Sequence, residues 1–249
     1  MEKIKTAIIL AAGLGTRLNP TTNAIPKCLV EIKGVSILEN ALANLERNGF
    51  TETVVVVGYL KNEIQKKLGY RFGKMKITYI ENRVYDKTNN MYSMWLARKY
   101  LEKGAIWMDG DIFFEEKVLK RILGFNEALS CWAVDNFTEE MDGAMLTADR
   151  NGMVTNIEIV QLKSKRYRNV FFKSAGILKM NAELGLLFSE WLNNDVARGN
   201  INIYCDIVLA NHIGEAKIYI CNIEGLKWYE IDTHNDLERA RRVFKNGKR

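Results

Sequence analysis

The 249-residue sequence predicts an α/β fold: a mixed, mostly parallel sheet flanked by helices, with a smaller lobe from the second half. Three observations predict it. In the first half, β-branched apolar runs alternate with stretches of helical period, which means βαβ units. A glycine-rich stretch directly follows the first apolar run, where a parallel strand would leave the sheet at its carboxyl end. Past the midpoint, apolar runs succeed one another with a hairpin signal between two of them, which means antiparallel strands. The chain is 47% hydrophobic, enough for one core. No repeat, low-complexity tract or Pro/Ser-rich linker divides it, so residues 1–249 read as one domain.

Taken in order, residues 6–10 form the first strand. Residues 36–48 (SILENALANLERN) are apolar at Ile37, Leu38, Ala41, Leu42 and Leu45, a helical period. Ser36 and Glu39 make a capping box and Gly49 ends the helix. Residues 53–57 are a solid β-branched run, as in a strand buried on both faces. A short helix over 62–68, a strand over 76–80, a helix over 90–101 and a strand over 105–108 follow. The second half predicts strands over 129–134, 144–148, 154–160 and 170–178, with Asn151-Gly152 as the hairpin turn. Helices over 182–193 and 204–213, strands over 217–220 and 228–231, and a helix from Asn235 complete the chain.

The bulk properties exclude several classes. The net charge of +6 mildly favours an anionic ligand, but it is spread; only Arg239-Ala240-Arg241-Arg242 is dense. No basic-aromatic run or zinc spacing points to nucleic acid. Cys28, Cys131, Cys205 and Cys221 form no C-x-x-C pair and sit in apolar surroundings, which suits buried thiols in a reducing cytoplasm. Nothing approaches the ~18 apolar residues of a membrane span. Lys3 and Lys5 before an apolar run ending Ala11-Ala12-Gly13 mimic a signal peptide. The run is short, however, and a glycine loop with Arg17 follows at once, so a core strand is expected.

Residues 10–17 read LAAGLGTR. Small residues at Gly13 and Gly15 let backbone N–H groups approach phosphate oxygens. Thr16 offers a hydroxyl, and Arg17 can pair with a phosphate. The spacing is neither G-x-G-x-x-G nor G-x-x-x-x-G-K-[ST]. A tight turn without ligand would explain the two glycines alone. Asp109-Gly110-Asp111 follows the apolar run 105–108 and therefore also lies at a carboxyl strand end. Two acids separated by glycine suit Mg²⁺, which takes oxygen ligands and keeps several waters.

L-A-A-G-x-G-T-R followed by Pro26-Lys27 resembles the signature of the nucleotidyltransferases that activate sugar phosphates and small alcohol phosphates, a Rossmann-like family. The resemblance implies that Leu10, Ala11, Ala12, Gly13, Gly15 and Thr16 wrap a nucleoside triphosphate and that Arg17 and Lys27 hold its phosphates. It implies that Asp111 binds the metal, with Asp109 beside the nucleotide. Tyr229-Glu230-Ile231-Asp232-Thr233 fits the family's second metal-binding aspartate, which nominates Asp232. In the implied reaction a substrate phosphate attacks the α-phosphorus and pyrophosphate leaves. Neither a covalent enzyme intermediate nor a general base is needed, and Arg17, Lys27, Asp111 and Asp232 are the catalytic set.

Asn89-Asn90-Met91-Tyr92-Ser93 resembles the N-N-x-Y-S element of the cytidylyltransferases acting on phosphocholine and aminoethylphosphonate. That implies CTP, with Asn89, Asn90 and Ser93 bordering the nucleotide. Gly58 and Tyr59, after the strand 53–57, are expected to border the base. The acceptor reads as a small phosphorylated alcohol or phosphonate. A choline head wants aromatic faces and acids; Trp132, Asp135, Glu158 and Trp228 are candidates, with Phe137 and Tyr167 as further aromatics. The E-K-P element of the sugar enzymes is missing, so the lysine for the acceptor phosphate is Lys163 or Lys173. Residues to about 115 are then the nucleotide half and 116–249 the acceptor half. A sugar-1-phosphate enzyme using UTP or dTTP, and a non-catalytic nucleotide-sensing relative, are the alternatives; the second would be expected to lose Arg17 or an aspartate, and all are present. A homodimer is left open. His212 and His234 show no metal spacing and read as surface residues.

Overall fold

The computed structural model describes residues 3–138, 141–160, 171–215 and 217–244. At its centre four parallel strands run side by side: β7 (Ala105–Asp109), β1 (Thr6–Ala11), β4 (Glu52–Val57) and β6 (Met75–Glu81), with the short β5 (Arg71–Phe72) antiparallel at the β6 edge. The apolar run after Lys5 is thus a central strand.

Side chains along β1 alternate between two cores. Ala7, Ile9 and Ala11 face one core and Ile8 and Leu10 the other, as a pleated strand covered on both faces requires. α1 (Ile37–Arg47), α2 (Lys61–Leu68) and α4 (Glu116–Leu123) supply Leu42, Ile64 and Leu119 to the first core. α3 (Asn90–Ala97), α5 (Ala182–Ala197) and α6 (Cys205–Asn211) supply Met94, Phe188 and Val208 to the second. α1 starts at the capping box that the sequence predicts: Ser36 accepts from the Glu39 N–H, and the Glu39 carboxylate accepts from the Ser36 N–H.

Beyond β7 the sheet turns antiparallel. β12 (Phe172–Met180) pairs with β7 through residues 177–180, and with β9 (Ser130–Asn136) on its other side. β13 (Ile218–Asn222) adds to β9 in parallel. The first residues of β12 also pair with β10 (Gly143–Ala148), whose hairpin partner is β11 (Val154–Val160). Asn151 and Gly152 lie in that hairpin turn, Gly152 at φ +80°. β10, β11 and the start of β12 thus extend the same ten-stranded sheet at the edge built by the second half.

Besides α4 and β5, which the sequence pattern did not predict, three features differ from expectation. The helix expected over 90–101 ends at Ala97 and tightens into a 3₁₀ turn, Arg98–Tyr100. Leu101 is buried either way, so the apolar pattern does not register the change of winding. The ribbon β2 (Glu31–Ile32) with β3 (Val35–Ser36) is too short for a period to show. The third, β8 (Ile112–Phe114), pairs antiparallel with β14 (Trp228–Glu230) in a two-stranded sheet of its own. Asn40 accepts from the Phe114 N–H at 3.0 Å, and Asn44 donates to the Phe114 carbonyl at 2.9 Å, so α1 satisfies the ribbon's open edge. α7 (His234–Val243) closes a third small core with Leu18, Ile32, Phe113 and Ile231. Among the described residues no helix is long and apolar enough to cross a membrane.

Candidate active site

A cavity of about 950 Å³ opens at the carboxyl ends of the parallel strands, where open α/β sheets bind ligands. Its rim is the stretch 10–17. Gly15 sits at φ +64°, and a Cβ there would come within 2.9 Å of the Lys27 Cβ. Only glycine lets the loop lie against the Lys27 segment. Thr22, itself buried, donates to the Gly15 carbonyl at 2.8 Å, and Leu18 anchors the loop from below, fully buried. The exposed loop therefore stands on a fixed base.

The D-G-D turn crosses directly over the end of β1. The Gly110 N–H donates to the Leu10 carbonyl at 3.0 Å, and a Cβ on Gly110 would lie 2.5 Å from that oxygen. The glycine is the condition for bringing two aspartates to the strand end.

Asp111 and Asp232 are far apart in the chain, and the β8–β14 ribbon unites them. Asp111 stands just before β8 and Asp232 just after β14. The Ile231 N–H donates to the Asp111 carbonyl at 3.0 Å. Between the two carboxylates lies one ammonium: Lys27 Nζ is 2.6 Å from Asp111 Oδ2 and 2.6 Å from Asp232 Oδ1. Arg17 reaches the same Asp232 oxygen at 2.7 Å. Burial pulls the Lys27 pKa down, but the two carboxylates outweigh it and raise it. Burial pushes Asp232 up; Lys27 and Arg17 reverse that and hold it below the usual carboxylate range. Asp111 Oδ1 is buried without a hydrogen-bond partner. A buried carboxylate oxygen left open beside a second carboxylate fits a hard divalent cation. No cluster of three or more protein ligands exists among the described residues; Mg²⁺ is commonly held by one or two carboxylates, with phosphate oxygens and water completing the shell.

A second group of charges lines another part of the cavity. Lys173, buried on β12, donates to Glu230 at 2.9 Å. Asp109 and Asp206 lie within its electrostatic reach. Burial lowers the Lys173 pKa, but Glu230 and these acids overturn that and raise it. Burial drives Asp109 and Asp206 up, Asp109 further through repulsion from Asp111. Glu230 is also raised by burial, against the pull of Lys173. Of these three carboxylates Glu230 contacts the Lys173 ammonium, while Asp206 and Asp109 feel it at longer range. Cys28 also lines the cavity, but burial pushes its thiol up to about 12, leaving no thiolate nucleophile.

The family model described as "Nucleotidyl transferase" matches residues 6–142. The chain belongs to the nucleotidyl transferase family. As a nucleotidyltransferase it resembles the CMP-5'-(3-aminopropyl)phosphonate synthase of Streptomyces rubellomurinus, with 31% identity over 94% of this chain and 38% of that one. It therefore spans well under half the length of that relative. It is 28% identical to the choline-phosphate cytidylyltransferase of Streptococcus pneumoniae, covering 96% of this chain and 98% of that one. The solved structure of CTP:phosphocholine cytidylyltransferase from Streptococcus pneumoniae superposes with a TM-score of 0.79, at 23% identity over 97% and 99% of the two chains. It shares the fold.

The cavity of this nucleotidyltransferase gathers Leu10, Ala11, Ala12, Gly13, Gly15, Thr16, Arg17, Lys27, Asn89, Asn90, Ser93, Asp109, Asp111, Lys173 and Asp232. Other expected residues lie elsewhere. Gly58 and Tyr59 are outside the lining and brace the loop from behind: the Tyr59 N–H donates to the Ala12 carbonyl at 3.1 Å and its hydroxyl to the Asn23 carbonyl at 3.1 Å. Trp132 is core, not acceptor wall. Strand alternation on β9 turns it inward against Trp107, 1% exposed, and its indole donates to Ser174 at 2.9 Å. Asp135 and Trp228 satisfy each other at 2.8 Å outside the lining. Glu158, on the outer strand β11, is exposed and accepts from Asn156. Phe137 packs on Phe171. Lys163 and Tyr167 fall outside the described residues. His234 is exposed and contacts the Asn19 carbonyl; His212 stacks on Trp191.

Sequence reading missed Asp206, Glu230, Asn82 and Tyr85 in the lining. Glu230 stood two residues before Asp232, a spacing that puts side chains on one face of an extended chain. An acid in the first turn of a helix, as Asp206 is, has an ordinary explanation in the helix dipole. Nothing local marks Asn82.

Proposed function

We propose that the chain is a Mg²⁺-dependent cytidylyltransferase that joins CTP to a small phosphorylated alcohol or phosphonate, releasing pyrophosphate. The observation behind it is the Asp111–Lys27–Asp232 arrangement under the glycine loop, with Asp111 Oδ1 left without a partner. In this reading the backbone N–H groups of the loop receive the triphosphate, and Arg17 and Lys27 pair with its oxygens. The acceptor phosphate, already anionic, attacks the α-phosphorus as the bond to pyrophosphate breaks. These residues hold two polyanions in line and offset the charge that builds up. Asp111 and Asp232 would hold the Mg²⁺, which supplies further neutralisation of the phosphate oxygens.

The choice of CTP is supported by the names of the relatives and by Asn89, Asn90 and Ser93 on the cavity wall. The acceptor is the more informative question. Lys173 suits the acceptor phosphate. Asp109, Asp206 and Glu230, gathered near the one ammonium of Lys173, favour an acceptor with a cationic head, a primary amine or quaternary ammonium, over a neutral polyol or sugar. Four buried free cysteines suit a reducing cytoplasm.

The test is pyrophosphate release over four nucleoside triphosphates and a panel of phosphocholine, aminoethylphosphonate, polyol phosphates and sugar 1-phosphates. CTP with a cationic acceptor is expected to win. UTP or dTTP with a sugar 1-phosphate would replace this reading, and no release with any pair would end it. Chelating divalent cations should abolish release. Asp111→Asn should reduce it by ~10²-fold or more while the melting temperature holds, since Lys27 keeps Asp232.

A further inference from the structure

We infer that Asn90 is a positioning residue that holds Asp206 at the acceptor end of the cavity, so that one side chain links the nucleotide wall to the acceptor wall. This rests on the reading of the cavity as a cytidylyltransferase site with a cationic acceptor.

The geometry is specific. Asn90 is the first residue of α3, and its N–H is capped by Asn89. Its side-chain oxygen is spent elsewhere: Asn90 Oδ1 accepts from the backbone N–H of Cys205 at 2.9 Å. Cys205 is the first residue of α6, whose own N-cap position, Tyr204, makes no side-chain capping bond. Asn90 therefore caps a helix distant in sequence. A second bond fastens the same junction, from the Asn89 N–H to the Ile201 carbonyl at 3.2 Å.

α6 has seven residues, too few to hold its own first turn by propensity. Its second residue is Asp206, which lines the cavity beside Glu230 and Asp109. The direction of a carboxylate in a first turn follows the path of that turn. Removing the cap would free the backbone that aims Asp206 while leaving the glycine loop, Lys27 and Asp111 untouched. Asn90 would then affect the acceptor, although its place in the sequence groups it with the nucleotide.

The experiment compares Asn90→Leu, which keeps the branched heavy-atom shape and loses the acceptor atom, with Asn90→Asp, which keeps an oxygen for the Cys205 N–H. Steady-state pyrophosphate release is measured with CTP and either phosphocholine or a neutral polyol phosphate. Asn90→Leu is expected to raise the phosphocholine KM about fivefold to tenfold, the scale of one lost helix cap. Measured at saturating CTP, the phosphocholine KM should rise by a larger factor than the KM for the neutral acceptor, whatever Asn90→Leu does to the CTP KM through the place of Asn90 on the nucleotide wall. Asn90→Asp should restore most of the phosphocholine KM. In an Asp206→Asn background the Asn90→Leu effect should vanish. A rise confined to the CTP KM, or full additivity with Asp206→Asn, would overturn the inference. So would an unchanged amide hydrogen-exchange rate at Cys205 in Asn90→Leu, which needs no substrate. A wild-type protein inactive with every acceptor is a different result: it defeats the cytidylyltransferase reading, and this inference with it.

Discussion

Lys27 occupies the point that two aspartates face, and its side chain is only 16% exposed. An ammonium this buried persists because two carboxylates lie 2.6 Å away. Lys27→Met would leave Asp111 and Asp232 facing each other, with Arg17 on Asp232 and Lys173 farther off as cationic neighbours. The melting temperature at pH 7 should fall by several degrees, at ~2–4 °C per kcal/mol for a chain of this size. The pH dependence follows from Asp232, whose folded pKa is depressed below its ordinary 3.8. Stability from such a group is present above the unfolded pKa and lost as pH falls through the folded value. The gap between wild type and Lys27→Met, followed by thermal melts, should therefore narrow below about pH 4. Asp206 has the opposite sign. Burial raises its pKa above 3.8, so the folded state binds more protons than the unfolded, and this group costs stability as pH rises above that value. Asp206→Asn should raise the melting temperature at pH 8, with the gain shrinking toward pH 4, while the affinity for a cationic acceptor drops.

At the scale of elements, the site depends on two chain crossings. At the first, Gly110 passes over the end of β1 with no room for a Cβ beside the Leu10 carbonyl. The two nearest atoms, the Leu10 carbonyl oxygen and the Ala11 Cα, are backbone, so neither can yield cheaply. Gly110→Ala should cost ~1–3 kcal/mol, as overpacking does, read as a lower denaturant midpoint, and should cut pyrophosphate release by moving both flanking aspartates. The second crossing is the β8–β14 ribbon, which brings Asp111 to Asp232. The strand over 228–231 was legible from its aromatic and apolar alternation. Its partner was not: Ile112–Phe114 is three residues long, too short for any period to register. α4 escaped in the same region, although Val118, Leu119 and Ile122 carry a helical spacing. The long periodic segments, α1 and the β1, β4 and β7 strands, were legible to within a residue or two, because each buries a regular face.

For the whole molecule, the charge of +6 says little about the cavity. One part of it is basic through Arg17 and Lys27, and another is acidic through Asp109, Asp206 and Glu230. Because burial raises those three acids, part of their population is protonated above the ordinary range of 3.8–4.5. A bound cation favours the charged forms and expels protons. Calorimetric binding of a cationic acceptor in two buffers of different ionisation enthalpy should show proton release, and affinity should rise with pH through that window. A neutral polyol phosphate should show neither effect. Enthalpies identical in the two buffers would count against the acidic acceptor end.

The sequence by itself determined the alternating α/β order, the glycine loop and the Asp109-Gly110-Asp111 turn, and the family resemblance singled out Lys27 and Asp232. Each of these belongs to a contiguous stretch whose backbone chemistry is set by its neighbours: a glycine where two segments touch, a proline before the lysine, a glycine between two acids. The acidic wall of the cavity was decided only by tertiary structure. Trp132 went into the core because the strand's alternation, anchored by Trp107 and Ser174, points it there. Asp206 and Glu230 came to the cavity because a short helix and a short ribbon, distant in sequence, end at the same sheet edge. Local stretches encode groups that act through their own backbone. A pocket wall is assembled from side chains on separate elements, and the contacts that bring those elements together are spread over the whole chain.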